Sequence, residues 1–223
     1  MTGVYTRFIN EEFFDDRVSP DRMDDLFKAG WRHSGYHFYR YNYAIYRNEL
    51  RAVIPLRIRL DAFALTKSQR RTLRRNLDLD IAIRPTEITN EAEAMFRRHA
   101  KRFKENPPAT LFEYFFVTDP SAVPCETREF QVFKEKDLIA TSYIDLGGES
   151  ISGIYGMFEP AESRRRLGVF TILKEIEFAI EAGKTFYYLG YCYEGESFYD
   201  YKKQFRGTEA FDWEGGWAPL ELG

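Results

Sequence analysis

Three β-rich runs, a helix and a strand follow one another between Arg128 and Tyr191, and their order restricts the chain to few architectures. Arg128–Phe133, Leu138–Leu146 and Ser150–Phe158 are separated by Lys134-Glu135-Lys136-Asp137 and by Gly147-Gly148, turns that suit an antiparallel meander. From Gly168 the apolar positions Ile172, Leu173, Ile176, Ala179 and Ile180 keep helical spacing, and Gly183 stands where a left-handed residue would end the helix. Phe186–Tyr191 then returns as an aromatic strand. The layout predicts an α+β chain whose mixed sheet is flanked by helices.

Upstream, residues 20–29 predict a short helix ended by Gly30, and Tyr36–Tyr46 and Arg51–Leu60 predict two extended runs around Arg47-Asn48-Glu49. Thr66 caps a helix to about Leu77, and Leu79–Ile83 is a short strand. Thr89 or Asn90 opens a helix that must stop before Pro107-Pro108. Tyr199–Gln204 is a short polar element near the end.

With 223 residues, 44% of them hydrophobic, a sizeable core is available and disorder is excluded as the main theme. No apolar run approaches the roughly 20 residues of a membrane span, and the N-terminus lacks the charge order of a secretory signal. A cytoplasmic chain without membrane contact is expected. Cys125 and Cys192 are too few for a disulfide framework, a four-thiolate zinc site or an iron-sulfur cluster. His33, His37 and His99 lie on different elements without ligand spacing, so no metal is expected and no cofactor either.

The net charge of −3 hides patches. Asn10–Leu26 holds seven acids and two bases, whereas Lys67–Asn76 and Arg97–Lys104 each hold five bases and no acid. Lys67, Arg70, Arg71, Arg74 and Arg75 share one helical face that a phosphate backbone could track. The second group follows Glu91 and Glu93 on its helix and reads as solvated surface. Arg164, Arg165 and Arg166 precede a helix whose first amides favour an anion.

Five segments in order resemble the aminoacyl-tRNA-protein transferases, the arginyl and bacterial leucyl enzymes that extend protein N-termini. Gly30-Trp31-Arg32-His33-Ser34-Gly35 with Phe38-Tyr39-Arg40 is similar to that family's G-[FW]-R-R-S-G…Y-R, His33 standing for the second Arg. Ile54-Pro55-Leu56-Arg57, Phe63 and Lys67-Ser68-Gln69-Arg70-Arg71 through Arg75-Asn76 resemble P-x-R…F…R-S-Q-R-R…R-N. Phe158-Glu159-Pro160 with Arg164-Arg165-Arg166-Leu167-Gly168 resembles Y-D-P…R-R-S-L-G, and Tyr188-Leu189-Gly190-Tyr191 resembles Y-L-G-Y. Tyr201-Lys202 and Phe205-Arg206 resemble N-Y-K…[FY]-R-P, with Asp200 for Asn and Gly207 for Pro. The family's cysteine constellation after the Y-R pair is missing, which implies neither cluster nor zinc in the N-terminal module.

The resemblance implies a GNAT-like acyltransferase domain over residues 61–223 behind a reduced β-rich module, residues 1–60. It implies transfer of arginine or leucine from aminoacyl-tRNA to the α-amine of a protein or peptide, with no DNA partner. Tyr191, Tyr193 and Tyr201 would stack on the terminal adenine or steer the amine, and Lys202 would face the developing oxyanion or a phosphate. Asp200 or Glu194 would hold the donor's ammonium, with Tyr188, Tyr193 and Arg206 lining the substrate site. Each tyrosine reads equally as core. The basic helix and the arginine loop would take the tRNA. Two rivals share these features: a coenzyme-A-dependent N-acyltransferase, and a tRNA-binding protein without activity. Against the first, Arg165-x-x-Gly168 is followed by Val169 and Phe170, bulk that would crowd a pyrophosphate. Cys192 reads as a small buried residue rather than a reactive thiol.

Overall fold

The computed structural model of the chain describes residues 7–103 and 108–220, so Lys104 and Pro107 lie outside the described residues. The chain begins with β1 (Asn10–Phe14) and α1 (Pro20–Lys28), capped by Ser19. Next come β2 (Arg32–Ser34), β3 (His37–Tyr41), β4 (Tyr43–Tyr46) and β5 (Glu49–Arg59). The predicted run Tyr36–Tyr46 is thus two strands. It breaks at Asn42, fully buried, whose side chain binds the Ile9 amide at 2.9 Å and the Arg7 carbonyl at 2.6 Å. β3 joins a three-stranded sheet in the order β1-β3-β2, while β4 turns back onto β5 through Arg47 and Asn48, both at positive φ, the signature of a two-residue hairpin. β1 lies in the acidic start, where no strand was predicted; Glu11 there pairs with Arg40.

α2 (Lys67–Arg75) opens on a reciprocal capping box between Thr66 and Gln69 and ends two residues short of the predicted Leu77. β6 (Asp80–Pro85), α3 (Asn90–Ala100) with Thr89 as cap, and the meander β7 (Thr127–Lys134), β8 (Asp137–Leu146) and β9 (Ser150–Phe158) match the sequence reading. α4 (Leu167–Glu181) follows, and Gly183 at φ +69° turns the chain into β10 (Phe186–Tyr193). A 3-10 turn over Phe198–Gln204 leads to β11 (Thr208–Phe211) and β12 (Trp217–Pro219), short strands the sequence reading left unassigned.

The large sheet runs β12-β11-β5-β10-β9-β8-β7-β6, with β4 on β5. It is mixed, because β10 pairs parallel with β9 and antiparallel with β5. β5 therefore sits between β10 and β11, inside the sheet that the residue-60 boundary assigns to the second domain. One face is covered by α4 and α2, where Leu173, Ile176 and Ala179 pack on Ile58, Phe130, Ile144 and Ile151. The other carries α3 through Met95 and Phe96, and the α1 layer through Leu26 and Phe27. No helix among the described residues is long and apolar enough to cross a membrane.

Several motif residues hold this frame together. Arg57 is buried between the rings of Phe186 and Trp217, its guanidinium 4.0 and 4.4 Å from their centroids, and bonds Glu209 of β11 at 2.8 Å. Pairing and stacking together offset the desolvation of a buried cation.

Candidate active site at the opening between two parallel strands

β9 and β10 are paired only from Phe186↔Ser150 to Tyr188↔Ser152. Beyond that point β9 pairs with β8 alone and β10 with β5 alone, so Gly153–Phe158 and Gly190–Tyr193 part. The break coincides with an extra residue, Leu189, in β10 and with Gly190 at φ +82°, a conformation that favours glycine. Arg32 of β2 reaches into the gap and donates to Ser152 Oγ and to the Gly153 carbonyl. Lys202 enters from the 3-10 turn and donates to the Tyr191 carbonyl at 3.0 Å. A Cβ on Gly190 would stand 3.5 Å from Lys202 Nζ and 3.6 Å from Arg32 Nε, so the two cations share one small space. Burial, and after it the Arg32 charge, lowers the Lys202 pKa from 10.5 to about 8.

Aromatic rings wall the opening. On the β10 side Tyr191 meets Tyr41 edge-on at 5.2 Å and bonds the Gly30 carbonyl at 2.7 Å, while Tyr193 stacks on Tyr46 at 4.6 Å. Tyr199 lies 5.8 Å from Tyr193, and its ring carries Lys202 Nζ at 5.2 Å. On the β9 side Tyr155 stacks on Tyr114 at 4.3 Å. Burial raises the Tyr155 hydroxyl well above its ordinary range, with the bond from Tyr114 opposing and Tyr199 and Tyr201 adding to the rise. Tyr201 is raised in the same way, by burial first and then by Tyr199 and Glu175.

Under the gap, on the α4 side, Glu175 is buried and accepts from the Tyr187 hydroxyl. A Cβ on Gly153 would come within 3.0 Å of that hydroxyl, which places it against the parting strands. Burial raises the Glu175 carboxyl from 4.5 to about 7, with the nearby Ser142 and Tyr187 hydroxyls opposing. Neither Arg32 nor Glu175 was singled out from the sequence as a site residue. The signals were present: Arg32 belongs to the Gly30–Gly35 motif, and Glu175 interrupts the apolar face formed by Ile172, Ile176 and Ala179.

The other sequence candidates fall in different surroundings. Tyr188 faces the α1 layer, packed on Phe27 and Trp217, with its hydroxyl 3.4 Å from Arg57. Asp200 caps the 3-10 turn, accepting from the Ser197 amide at 2.8 Å and lying 2.8 Å from Lys203. Burial pushes its carboxyl up, but Lys203 and Ser197 outweigh that and hold it below the usual range. Glu194 has interactions of its own, and Arg206 is exposed before β11. Cys192 is fully buried beside the Ile54 carbonyl, and burial lifts its thiol to about 11. Phe170 corrects one inference: its ring is buried with Val132, Ile139 and Leu167, so it does not crowd the loop, and steric bulk there does not argue against coenzyme A.

The basic motifs, 89 positions apart, meet. Arg75 donates to the Arg164 carbonyl, Asn76 Nδ2 to the Arg165 carbonyl at 3.0 Å, and Arg166 to Ser68 Oγ at 2.6 Å. Lys67, Arg70, Arg71, Arg74, Arg75, Arg164 and Arg166 are exposed, and no salt bridge engages them among the described residues. Arg165 differs, since it grips Asp78 with two nitrogens at 2.9 Å and Glu162 at 2.9 Å, binding the loop to the end of α2. Arg97 and Arg98 pair with Glu93 and Glu159. The basic surface adjoins the opening, because α4 runs back along β9: a Cβ on Gly168 would touch Phe158 at 3.5 Å, one on Gly156 would lie 3.9 Å from Thr171 Oγ1, and Glu175 lies behind Gly153.

The chain matches the sequence model for the N terminus of arginine-tRNA-protein transferase over residues 4–71 and that for its C terminus over 91–212. An aspartate/glutamate leucyltransferase of Hahella chejuensis is 32% identical over 193 residues, covering 85% of this chain and 80% of the relative. One of Xanthomonas euvesicatoria pv. vesicatoria is 34% identical over 175 residues, 74% of this chain and 70% of the relative. Among solved structures, FemX superimposes with a TM-score of 0.55 at 11% identity, over 91% of this chain and 70% of its own. The C-terminal DUF2156 domain of an Agrobacterium fabrum protein described as a lysylphosphatidylglycerol synthetase gives 0.52 at 14%, over 84% and 56%. At such identities the likeness is one of fold. Two matching sequence models and relatives above 30% identity settle the kinship: the chain belongs to the arginine-tRNA-protein transferase family.

Proposed function

We propose that this chain transfers leucine from charged tRNA to the N-terminal amine of proteins that begin with aspartate or glutamate, on a GNAT-like fold whose parted strands form the active site. The observation that carries this is the pair Arg32 and Lys202 at the floor of the opening, between tyrosine walls and beside the exposed cations of α2. The tRNA backbone lies along Lys67, Arg70, Arg71, Arg74 and Arg75, with Arg164 and Arg166, and its 3′ adenine stacks among Tyr191, Tyr193, Tyr199 and Tyr201. The amine attacks the ester carbonyl, a C–N bond forms, and the C–O bond to ribose breaks. The amine's proton passes to the leaving ribose oxygen. Lys202 and Arg32 hold the negative charge that develops on the carbonyl oxygen, and positioning supplies the rest, because the ester is already activated.

Leucine is favoured over arginine as donor by the names of the relatives and by the acids around the opening. Asp200 is bonded to Ser197 and Lys203, and Glu175 lies buried behind Tyr187, so neither is free to hold a guanidinium. The N-terminal part, up to about Leu60, supplies Arg32 and Tyr41 and forms the acceptor side, with Tyr188 and Arg57 holding it to the sheet and Arg206 at its rim. A cytoplasmic setting accords with both substrates. The test is transfer of labelled leucine from charged tRNA to a peptide with N-terminal Asp, with Arg32→Ala as the control expected to lose it.

A further inference from the structure

Arg32 is followed by His33, whose surroundings the transfer reaction does not explain. His33, Cys125 and Asp145 come from three distant segments, and one ligand atom from each lies within 4.8 Å of the other two. All three are buried: their exposures are 8%, 5% and 0%. Spacing along the sequence hid the group, since its members lie in β2, just before β7 and in β8. His33 Nδ1 is 2.9 Å from the Gly35 carbonyl, an oxygen that can only accept, so Nδ1 carries a proton, and Nε2 either carries a second one or presents its lone pair. Nε2 stands 3.1 Å from Asp145 Oδ1, and the Cys125 thiol donates to the same oxygen at 3.8 Å.

Three potential ligand atoms thus converge in the interior, and among the described residues no lysine or arginine pairs with Asp145. Neither His33 Nε2 nor Asp145 Oδ2 has a hydrogen-bond partner. Such a group demands positive charge, either a proton on His33 or a metal ion. The donor set favours the metal. Thiolate, imidazole and carboxylate together suit a zinc-class divalent ion, and a ligating histidine normally donates its other N–H to a carbonyl, as His33 does to Gly35. Burial, and after it the Asp145 charge, holds the Cys125 thiol well above its ordinary range, with only the Leu146 amide opposing, so it is the incoming metal ion that would displace the thiol proton.

The geometry points to a zinc-class metal site made by His33, Cys125 and Asp145, which fixes β2 to the large sheet and thereby holds Arg32 in the opening between β9 and β10. Asp145, with its second oxygen unpartnered, or a water completes the coordination. The site does not use the stretch after Tyr39-Arg40, where this chain has no cysteine, and takes its one cysteine from the middle of the sequence.

The test takes the full chain, reduced and stripped with chelator, and titrates it with Co(II). One equivalent should bind with a sulfur-to-cobalt charge-transfer band and the intense visible bands of a four-coordinate ion. Cys125→Ser should abolish the charge-transfer band and Cys192→Ser should leave it. His33→Arg supplies its own cation beside Asp145; it should fold, melt no lower than the stripped wild type, and bind no cobalt, so it decides the matter even if Cys125→Ser does not fold. Zn(II) should raise the wild-type Tm by several degrees and restore transfer lost on stripping, roughly 10–100-fold. Absence of a thiolate band in the wild type, or its persistence in His33→Arg, would overturn the site and leave a shared proton between His33 and Asp145 as the occupant.

Discussion

Lys202 is held in the protein at a loss in stability, and replacing it by methionine separates that loss from its function. Its pKa falls from 10.5 to about 8 in the fold. At neutral pH this displacement corresponds to at most roughly 3 kcal/mol of destabilisation by the partly buried charge. Methionine fills similar volume without charge but gives up the bond to the Tyr191 carbonyl, about 1 kcal/mol. The net gain for Lys202→Met is at most about 2 kcal/mol at pH 7, or about 4–8 °C in Tm for a chain of this size. The pH dependence fixes the cause. Between about 8 and 10.5 the folded wild type has released a proton that the unfolded chain retains, so its stability rises with pH and the gap to the variant closes. Transfer should meanwhile drop by about 10²–10³, the usual effect of removing one oxyanion partner. Thermal melts at pH 7 and pH 10, with single-turnover transfer alongside, measure both. A variant that melts lower than wild type at pH 7, or transfers at the wild-type rate, would refute the reasoning.

Glu175→Gln is expected to act in the opposite pH direction. The folded carboxyl titrates at about 7 against 4.5 for its ordinary value, so wild-type stability is lost as pH rises from 4.5 through 7, by up to roughly 3 kcal/mol. Urea melts should find the variant more stable at pH 8 and little changed at pH 4.5. Arg70→Glu with Arg74→Glu should raise KM for charged tRNA and flatten its salt dependence by about 0.7–0.9 log units per lost phosphate contact, whereas Arg97→Glu, already paired with Glu93, should do neither to the same extent. Gly190→Ala meets strain at φ +82° of roughly 1–2 kcal/mol and sets a methyl beside both cations. Gly215→Ala, at φ +110° with nothing within 4 Å, gives the strain alone, so only the first should lose transfer.

The helices and the meander were legible because each rests on local chemistry: the Thr66 and Thr89 caps, the Gly183 terminator, and the two short turns between β7 and β9. The split of Tyr36–Tyr46 was not, since Asn42 breaks the run only by binding Ile9 and Arg7, residues far along the chain. β1, β11 and β12 escaped because short edge strands carry little periodicity and depend on their partners. For the candidate site, the motifs pointed to Lys202 and the basic helix. They could not tell that Arg165 would turn to Asp78 and Glu162, or that Phe170 would face the core. Arg32 needed the topology most: it acts 120 residues away in sequence, on Ser152, where two strands part.

The most direct test of the account is transfer of labelled amino acid from a fully charged tRNA pool to peptides differing only in their N-terminal residue, with an acetyl-CoA reaction beside it. Leucine should pass to peptides beginning with Asp or Glu and to few others, and the signal should vanish in Arg32→Ala and Lys202→Met. Arginine as the transferred residue would contradict the donor assignment, and acetylation without any tRNA-dependent transfer would contradict the function itself.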